Sequence, residues 1–126
     1  VKLKYLDQWI NDRNDVAKYY LSMLKDQESI VLPQSEENIV HAYHLFVIRV
    51  NERDKVKNKL EKMKIQTGIH YPIALPKLDA FKNIKSIEDE NLFACQSDNN
   101  LLSLPIGSHL KLSDLETICK SIKSIV

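Results

Sequence analysis

The chain has 126 residues, 44% of them hydrophobic, and its 18 Lys and Arg nearly balance its 17 Asp and Glu, giving a formal net charge of +1. This length and apolar content predict one domain with its own core and argue against a disordered tail. Basic residues are interleaved with acids, as in "NERDKVKNKLEKMK", so we expect neither nucleic acid nor an anionic membrane surface as a partner.

Cysteine content and hydropathy indicate the cellular setting. Cys95 and Cys119 are too few for a disulfide framework, and their spacing does not suggest a metal site. No signal-peptide pattern is found, and no apolar run reaches the roughly 18 residues of a membrane span. We therefore expect a reducing, cytoplasmic setting without a membrane partner.

Residues 1–27 predict one long helix, because apolar residues recur there at three- and four-residue steps. They form two stripes, which implies burial on more than one side. No capping residue precedes Leu3, so we expect the helix to continue from a larger protein and the stretch of the second stripe from Tyr5 to Tyr20 to be exposed without it. The stripes are Leu3, Leu6, Ile10, Ala17, Leu21 and Leu24, and Tyr5, Trp9, Val16, Tyr20 and Met23.

The remaining elements alternate between strands and helices, which predicts an α/β or α+β domain with a small sheet. Strands are expected at 29–33, 38–50, 65–72 and 101–106, helices at 51–64, 76–84 and 112–126, and 85–100 is open between helix and turn.

Three of these elements carry more specific expectations. The 38–50 strand is apolar on both faces at its centre, so helices should cover the sheet around it. Asn51 is expected to N-cap the next helix, and Ser113 and Glu116 to form a capping box on the last one. The core-facing residues should be Val56, Leu60 and Met63, and Leu115, Ile118, Ile122 and Ile125.

The segment "TGIHYPIALPKLDAF", residues 67–81, places two amphipathic hydrogen-bonding side chains before a Pro-rich bend. Pro72 and Pro76 remove two backbone donors and prevent a helix or central strand from continuing. We predict that His70 and Tyr71 are held out for a ligand. The alternative is that they stabilise the corner between a strand and a turn.

Four segments in this order resemble the C-terminal part of the DegT/DnrJ/EryC1/StrS aminotransferases: "VKLKYLDQW", "HAYHLFVIRVNERD", "TGIHYP" and "LLSLPIGSHL". These pyridoxal-phosphate enzymes aminate keto-sugars linked to nucleotides. The resemblance implies that residues 1–126 are the small domain of a fold type I aminotransferase. The large domain, with the Schiff-base lysine and most of the cofactor pocket, would then lie upstream of this chain.

The resemblance also implies what the parent enzyme would bind. We expect pyridoxal phosphate as its cofactor, a nucleotide-sugar as its substrate, an amino acid such as glutamate as its donor, and a cytoplasmic homodimer. His70 and Tyr71 would line the sugar cleft, and the domain would act as a lid over it. The family's His-Tyr-Pro-x-Pro-Leu-His-x-Gln pattern is altered at Ala74, Pro76 and Leu78, and Lys64 replaces a glycine.

No catalytic, cofactor-binding or metal-binding residue is expected within the chain itself. The lysines lie on polar helix faces or in charged turns, and none is a Schiff-base candidate; they include Lys55, Lys57, Lys59, Lys62, Lys82 and Lys85. The alternative to an enzyme domain is a stand-alone, non-catalytic α/β binding or regulatory module.

Four other side chains allow either a functional or a structural interpretation. An offset of three along a strand would place His41 and His44 on opposite faces, which argues against a shared metal, and His44 is expected to pack at the sheet edge. Arg49 is expected either to contact a phosphate or to pair with an acid. Cys119 is expected in or beside the core.

Overall fold

The computed structural model describes residues 1–81 and 92–126, and in them three strands form one antiparallel sheet in the order β1–β2–β3. The strands are β1 (Ile30–Val31), β2 (Phe46–Val50) and β3 (Leu101–Leu104). β2 is the central strand: its Arg49 pairs with Val31 on one side and with Leu101 on the other. This small sheet among helices confirms the expected mixed class.

In the described residues, four α-helices accompany the sheet, and short 3₁₀ turns join or precede them. The α-helices are α1 (Leu6–Leu24), α2 (Arg53–Lys62), α3 (Phe93–Ser97) and α4 (Leu112–Lys123), and the 3₁₀ turns are Lys2–Tyr5, Leu75–Lys77, Asp79–Phe81 and Asp98–Asn100. In the described part of the chain, none of the helices is long and apolar enough to cross a membrane.

The core lies between one face of the sheet and the helices α1, α2 and α4. Along β2, Phe46, Ile48 and Val50 are buried, while the alternate residues Val47 and Arg49 are half-buried. Because side chains of a strand alternate between its two faces, one face alone receives the main core. Its other members include Ala17, Tyr20 and Leu24 of α1, Val56 and Leu60 of α2, Leu102 and Leu104 of β3, and Leu115, Ile118, Cys119 and Ile122 of α4.

The expectation that helices would cover the sheet around β2 holds for this face only. Tyr20 shows how tightly α1 is docked: its ring centroid lies 5.0 Å from that of Phe46, and its hydroxyl donates to the Pro105 carbonyl at 2.8 Å. The other face, which carries Val47 and Arg49, is left to the segments described below.

The predicted exposed stripe of α1 is wrong over its second half. Val16 and Tyr20 are buried, with exposures of 7% and 0%, whereas Tyr5 remains 44% exposed. The reason is geometric: the C-terminal half of α1 packs on the sheet and on α4, and the N-terminal half extends past them. Leu3 and Leu6 are accordingly exposed as well.

The strand expected at residues 38–50 begins only at Phe46, because the chain turns just before it. Tyr43 has a φ of 42°, and its N–H donates to Nδ1 of His41 at 2.9 Å. Two polar side chains of α1 hold this turn: Arg13 donates to the Ala42 carbonyl at 3.0 Å and Asn14 to the His41 carbonyl at 2.9 Å.

The region after α2 is less regular than predicted. Residues 65–72 do not form a full strand but pair with β3 through Gly68 alone. Tyr71 and Pro72 end that pairing, because a φ of 55° at Tyr71 is not extended and proline has no N–H to donate to a ladder. The helix expected at 76–84 is present as two 3₁₀ turns up to Phe81, and its remainder lies outside the described residues.

The N-termini of α2 and α4 differ from the caps expected for them. α2 begins at Arg53 with Glu52 at its N-cap, not Asn51. α4 begins at Leu112, and the Asp114 carboxylate accepts the N–H of Lys111 at 2.9 Å. The box expected from Ser113 is therefore wrong because the helix begins before that residue. Of the predicted core positions, Met63 is 49% exposed.

The C-terminus of α2 ends in a Schellman motif with a lysine at its left-handed position. The N–H of Ile65 donates to the Leu60 carbonyl at 3.0 Å, and the N–H of Lys64 donates to the Glu61 carbonyl at 2.9 Å. Lys64 has a φ of 63°, where a side chain carries a steric penalty that glycine escapes.

We predict that Lys64→Gly stabilises the protein by about 0.5–1 kcal/mol, because the strain of the left-handed side chain exceeds the added entropy of the unfolded chain. The melting temperature should rise by a few degrees, measured by thermal and urea unfolding. Lys59→Gly, at an exposed position inside the same helix, is the matched control and should lose about 1 kcal/mol. An unchanged or lower stability of Lys64→Gly would contradict this assignment.

Candidate functional site

The sheet face opposite the main core carries the predicted ligand-facing histidine. Gly68 pairs with the edge of β3: its N–H donates to the Ser103 carbonyl at 2.9 Å, and the N–H of Ser103 donates back at 2.8 Å. Ser103 alternates with the core residues Leu102 and Leu104, so its side chain lies on the opposite face. This pairing places residues 68–70 across that face.

The imidazole of His70 is anchored to the sheet by a side-chain hydrogen bond. Its Nδ1 lies 2.9 Å from Oγ of Ser103, which is 4% exposed. The ring also lies against Gly68, where an added Cβ would come within 2.6 Å of Cε1 of His70. Glycine at position 68 therefore gives the ring the space it needs beside the strand. His70 itself remains exposed.

Tyr71 differs from His70 because its side chain is 84% exposed. Its φ of 55° is uncommon for an aromatic residue and costs about 1–2 kcal/mol. Ile73 and Leu75, which follow it, are 49% and 67% exposed. The structure thus fixes one of the two predicted site residues on the sheet and leaves the other at the start of an exposed apolar segment.

Arg49 lies on the same sheet face as Ser103. Val47 pairs with Ser103, and Arg49 pairs with Leu101, so Arg49 and Ser103 are diagonal neighbours, about 7–8 Å apart at the backbone. The guanidinium lies 4.5 Å from the ring centroid of Phe93, a cation–π contact. Within residues 1–81 and 92–126, no acid pairs with Arg49, and the phosphate contact stays a prediction.

A buried carboxylate fastens the far end of the exposed segment. Asp98 is 5% exposed and accepts the N–H of Ala74 at 3.1 Å and the ammonium of Lys77 at 3.0 Å. Lys77 also donates to the Cys95 carbonyl, and Arg53 donates to the Asp98 carbonyl at 3.3 Å. A proline at position 74, as in the resembled family pattern, could not supply this N–H.

The electrostatics of Asp98 follow from these contacts. Burial acts to raise the pKa of its carboxyl group, but the hydrogen bonds from Ala74 and Lys77 and the charge of Lys77 outweigh it. The pKa is therefore lower than usual, and the carboxylate stays ionised as part of the folded structure.

The remaining candidates have structural positions. His44 is exposed instead of packed, since β2 begins only at Phe46. Cys119 lies in the core as predicted, and burial raises the pKa of its thiol to about 11. Thr67, beside Gly68, has a buried hydroxyl without a hydrogen-bond partner among the described residues. Within residues 1–81 and 92–126, no three potential metal ligands cluster.

The family model of the DegT/DnrJ/EryC1/StrS aminotransferase family matches residues 1–123. The chain belongs to this family. The match confirms the resemblance drawn from the four sequence segments.

Curated relatives in the DegT/DnrJ/EryC1/StrS family are about three times as long as this chain. Erythromycin biosynthesis sensory transduction protein EryC1 of Saccharopolyspora erythraea is 33% identical over 124 residues, which are 98% of this chain and 34% of that protein. A dTDP-3-amino-3,6-dideoxy-alpha-D-galactopyranose transaminase of Aneurinibacillus thermoaerophilus is 33% identical over 122 residues, 97% of this chain and 33% of the relative. The chain thus spans about a third of the relatives' length.

Solved structures agree with this assignment. The crystal structure of Streptomyces venezuelae DesV, in complex with a ketimine intermediate, matches with a TM-score of 0.88 at 29% identity over 97% of this chain and 33% of DesV. A family aminotransferase from Brucella abortus matches with a TM-score of 0.83 at 24% identity, which supports the fold alone.

The described residues do not fit pyridoxal phosphate as a group held by this chain. None of the lysines among them is buried, and the two best-shielded paired ones, Lys57 and Lys77, lie near the carboxylates of Glu61 and Asp98. The chain has two glycines, too few for a glycine-rich phosphate loop before a helix. Lys82 and Lys85 lie outside the described residues. No chemical step is therefore assigned to this chain.

We predict that Asp98→Asn destabilises the protein by about 1–3 kcal/mol at pH 7, because it leaves Lys77 without its charged partner. The lowered pKa of Asp98 means that this stability is fully present above the unfolded value of about 3.9 and is lost as pH falls through the folded value. Urea unfolding at pH 7 and pH 3 measures the difference between wild type and variant.

The difference should shrink at pH 3. Asp15→Asn is the matched control, since its carboxylate also pairs with a lysine, Lys18, but is 77% exposed, and it should change stability by no more than about 0.5 kcal/mol. A wild-type advantage of the same size at both pH values would show that the Asp98 charge does not hold the segment.

Proposed function

We propose that this chain is the small domain, residues 1–126, of a pyridoxal-phosphate aminotransferase that aminates a nucleotide-linked keto-sugar. Its share is the sugar-side wall and lid of the active site. The observation that carries this proposal is His70, fixed on Ser103 and exposed on the sheet face opposite the main core. Two curated relatives are transaminases of dTDP-linked amino sugars, which supports this class of substrate.

His70 and Tyr71 are the substrate-binding residues in this proposal. The Ser103 bond occupies Nδ1 of His70 and leaves Nε2 for a sugar hydroxyl or a diphosphate oxygen. Tyr71, held outward by its left-handed backbone, adds a ring and a hydroxyl beside it. Such strain is typical of functional positions, and it would be stored here in the segment that contacts the substrate.

The exposed apolar segment supports the lid role. Tyr71, Ile73 and Leu75 are exposed here, and in the complete enzyme they would close over the bound sugar and exclude water from the reacting centre. Their exposure in the isolated domain is what such a surface requires, because it must be covered by substrate or by the large domain.

The rest of the chemistry would come from outside this chain. Pyridoxal phosphate supplies the electron sink of transamination, and the large domain would supply the lysine and cofactor pocket. We expect an amino acid donor such as glutamate and a cytoplasmic homodimer. The exposed apolar start of the chain, with Leu3 at 83% and Leu6 at 41%, is the kind of surface that a neighbouring domain or subunit covers.

We predict that His70→Ala in the complete enzyme lowers keto-sugar kcat/KM about 10- to 100-fold, the size expected for one lost hydrogen bond to a polar or charged group. The amino-donor half-reaction should be largely unchanged, because the histidine contacts the sugar and not the donor. Single-turnover kinetics of the two half-reactions measure this split.

His109→Ala is the matched control. Its ring also lies against a glycine two residues earlier, with Cε1 2.8 Å from an added Cβ on Gly107, but it borders the groove between α4 and the segment that follows α2. This variant should leave both half-reactions near wild type. Equal loss in both half-reactions for His70→Ala would point to a structural role for that histidine.

We predict that the 126-residue chain alone forms no stoichiometric covalent adduct with pyridoxal phosphate. Mixing the two, reducing with borohydride and measuring mass tests this. Exposed lysines should show at most partial, scattered labelling, because no lysine in residues 1–81 and 92–126 is buried in an apolar pocket. Stoichiometric labelling of one lysine, with amino transfer from glutamate, would overturn the lid-domain proposal.

A further inference from the structure

The hydroxyl of Ser103 lies where it controls the protonation pattern of the His70 ring. Ser103 is 4% exposed, and its Oγ lies 2.9 Å from Nδ1 of His70. Within residues 1–81 and 92–126, this hydroxyl has no other hydrogen-bond partner. A buried hydroxyl proton without an acceptor is unfavourable, so Ser103 is expected to donate and Nδ1 to accept.

We propose that Ser103 is a positioning residue that holds neutral His70 in the tautomer with its proton on Nε2. In a neutral imidazole, one ring nitrogen donates and the other accepts. Because Nδ1 accepts from Ser103, the N–H must be on Nε2. His70 is exposed, so this N–H is available to a ligand as a neutral hydrogen-bond donor.

The ligand group that fits this donor is an oxygen acceptor. On a nucleotide-linked keto-sugar, the keto oxygen, a hydroxyl oxygen and the diphosphate oxygens all qualify. The identity of that acceptor rests on the proposed function, whereas the tautomer rests on Ser103 and His70 alone. An unprotonated Nε2 would accept instead of donate, and it would leave a keto or phosphate oxygen without a partner.

The backbone makes this arrangement independent of the ligand. Ser103 lies in β3 between Val47 of the central strand and Gly68. The two hydrogen bonds between Gly68 and Ser103, of 2.9 and 2.8 Å, fix the register that brings the histidine ring to the hydroxyl. The donor is therefore set before a substrate arrives, as a preorganised site requires.

Nitrogen-15 NMR of the histidine side chains in the full 126-residue chain tests the proposal. The spectra are recorded at a pH high enough for the imidazole rings to be neutral. Protonated and unprotonated ring nitrogens resonate far apart, and the His70→Gln variant identifies the His70 signals. In wild type we expect a single tautomer with a proton on Nε2. Ser103→Ala should give a mixture of both tautomers, and Ser103→Thr, which keeps the hydroxyl, should restore one.

A second readout in the same samples is the Hα shift of Gly68. The His70 ring lies against this residue, so its ring current should displace the Gly68 signal, and Ser103→Ala should move that signal toward an ordinary value. Ser97→Ala is the matched control: it removes another buried serine hydroxyl, which donates to the Phe93 carbonyl at 2.7 Å, and it should change neither readout.

Two results would overturn the inference: a proton on Nδ1 in wild type, or an unchanged tautomer and Gly68 shift in Ser103→Ala. If Ser103→Ala does not fold, the wild-type spectrum still tests the inference, because a proton on Nδ1 would overturn it, and Ser103→Thr tests the hydroxyl. Kinetics of the complete enzyme separate this inference from the proposed function. If the NMR result holds but His70→Ala does not weaken keto-sugar turnover, the tautomer stands and the sugar-binding role fails.

Discussion

Alternation of side chains along β2 decides where everything else in this domain can lie. Phe46, Ile48 and Val50 turn to one face and are buried there by α1, α2 and α4. Each fully buried side chain of this size contributes about 1.5–3 kcal/mol, so a one-residue shift of register, which would exchange the two faces, is strongly disfavoured. Ser103 pairs with Val47, so its side chain lies on the opposite face of the sheet.

The segment from His70 to Ala74 is therefore bonded to the rest of the structure at both ends and exposed between them. At one end, Gly68 and His70 are bonded to Ser103. At the other, the ionised Asp98 holds the turn that contains Ala74 and Lys77. Tyr71 and Ile73 lie between the two anchors and are exposed. A loop fixed in this way can present side chains to a ligand with little loss of conformational entropy on binding, which suits a wall or lid of an active site.

The class of fold and the helices α1, α2 and α4 could be predicted from the sequence, because they follow from local periodicity. The shortened β2 could not, since it depends on Arg13 and Asn14 reaching across from α1 to a turn. Ser103 and Asp98 were missed for the same reason: their partners are distant in sequence. A faint signal existed for Ser103, a polar residue at a central position of an otherwise apolar strand. The family assignment came from the order of several segments, a kind of information that no single motif holds.

We propose that the sheet face opposite the main core binds the nucleotide-linked sugar. The most direct test is a crystal structure of the complete aminotransferase with a nucleotide-linked amino-sugar bound. The account predicts Nε2 of His70 at about 3 Å from an oxygen of the sugar or its diphosphate, with Ser103 still bonded to Nδ1. A ligand whose only contacts with this chain lie beside His109, in the groove between α4 and the segment that follows α2, would contradict it.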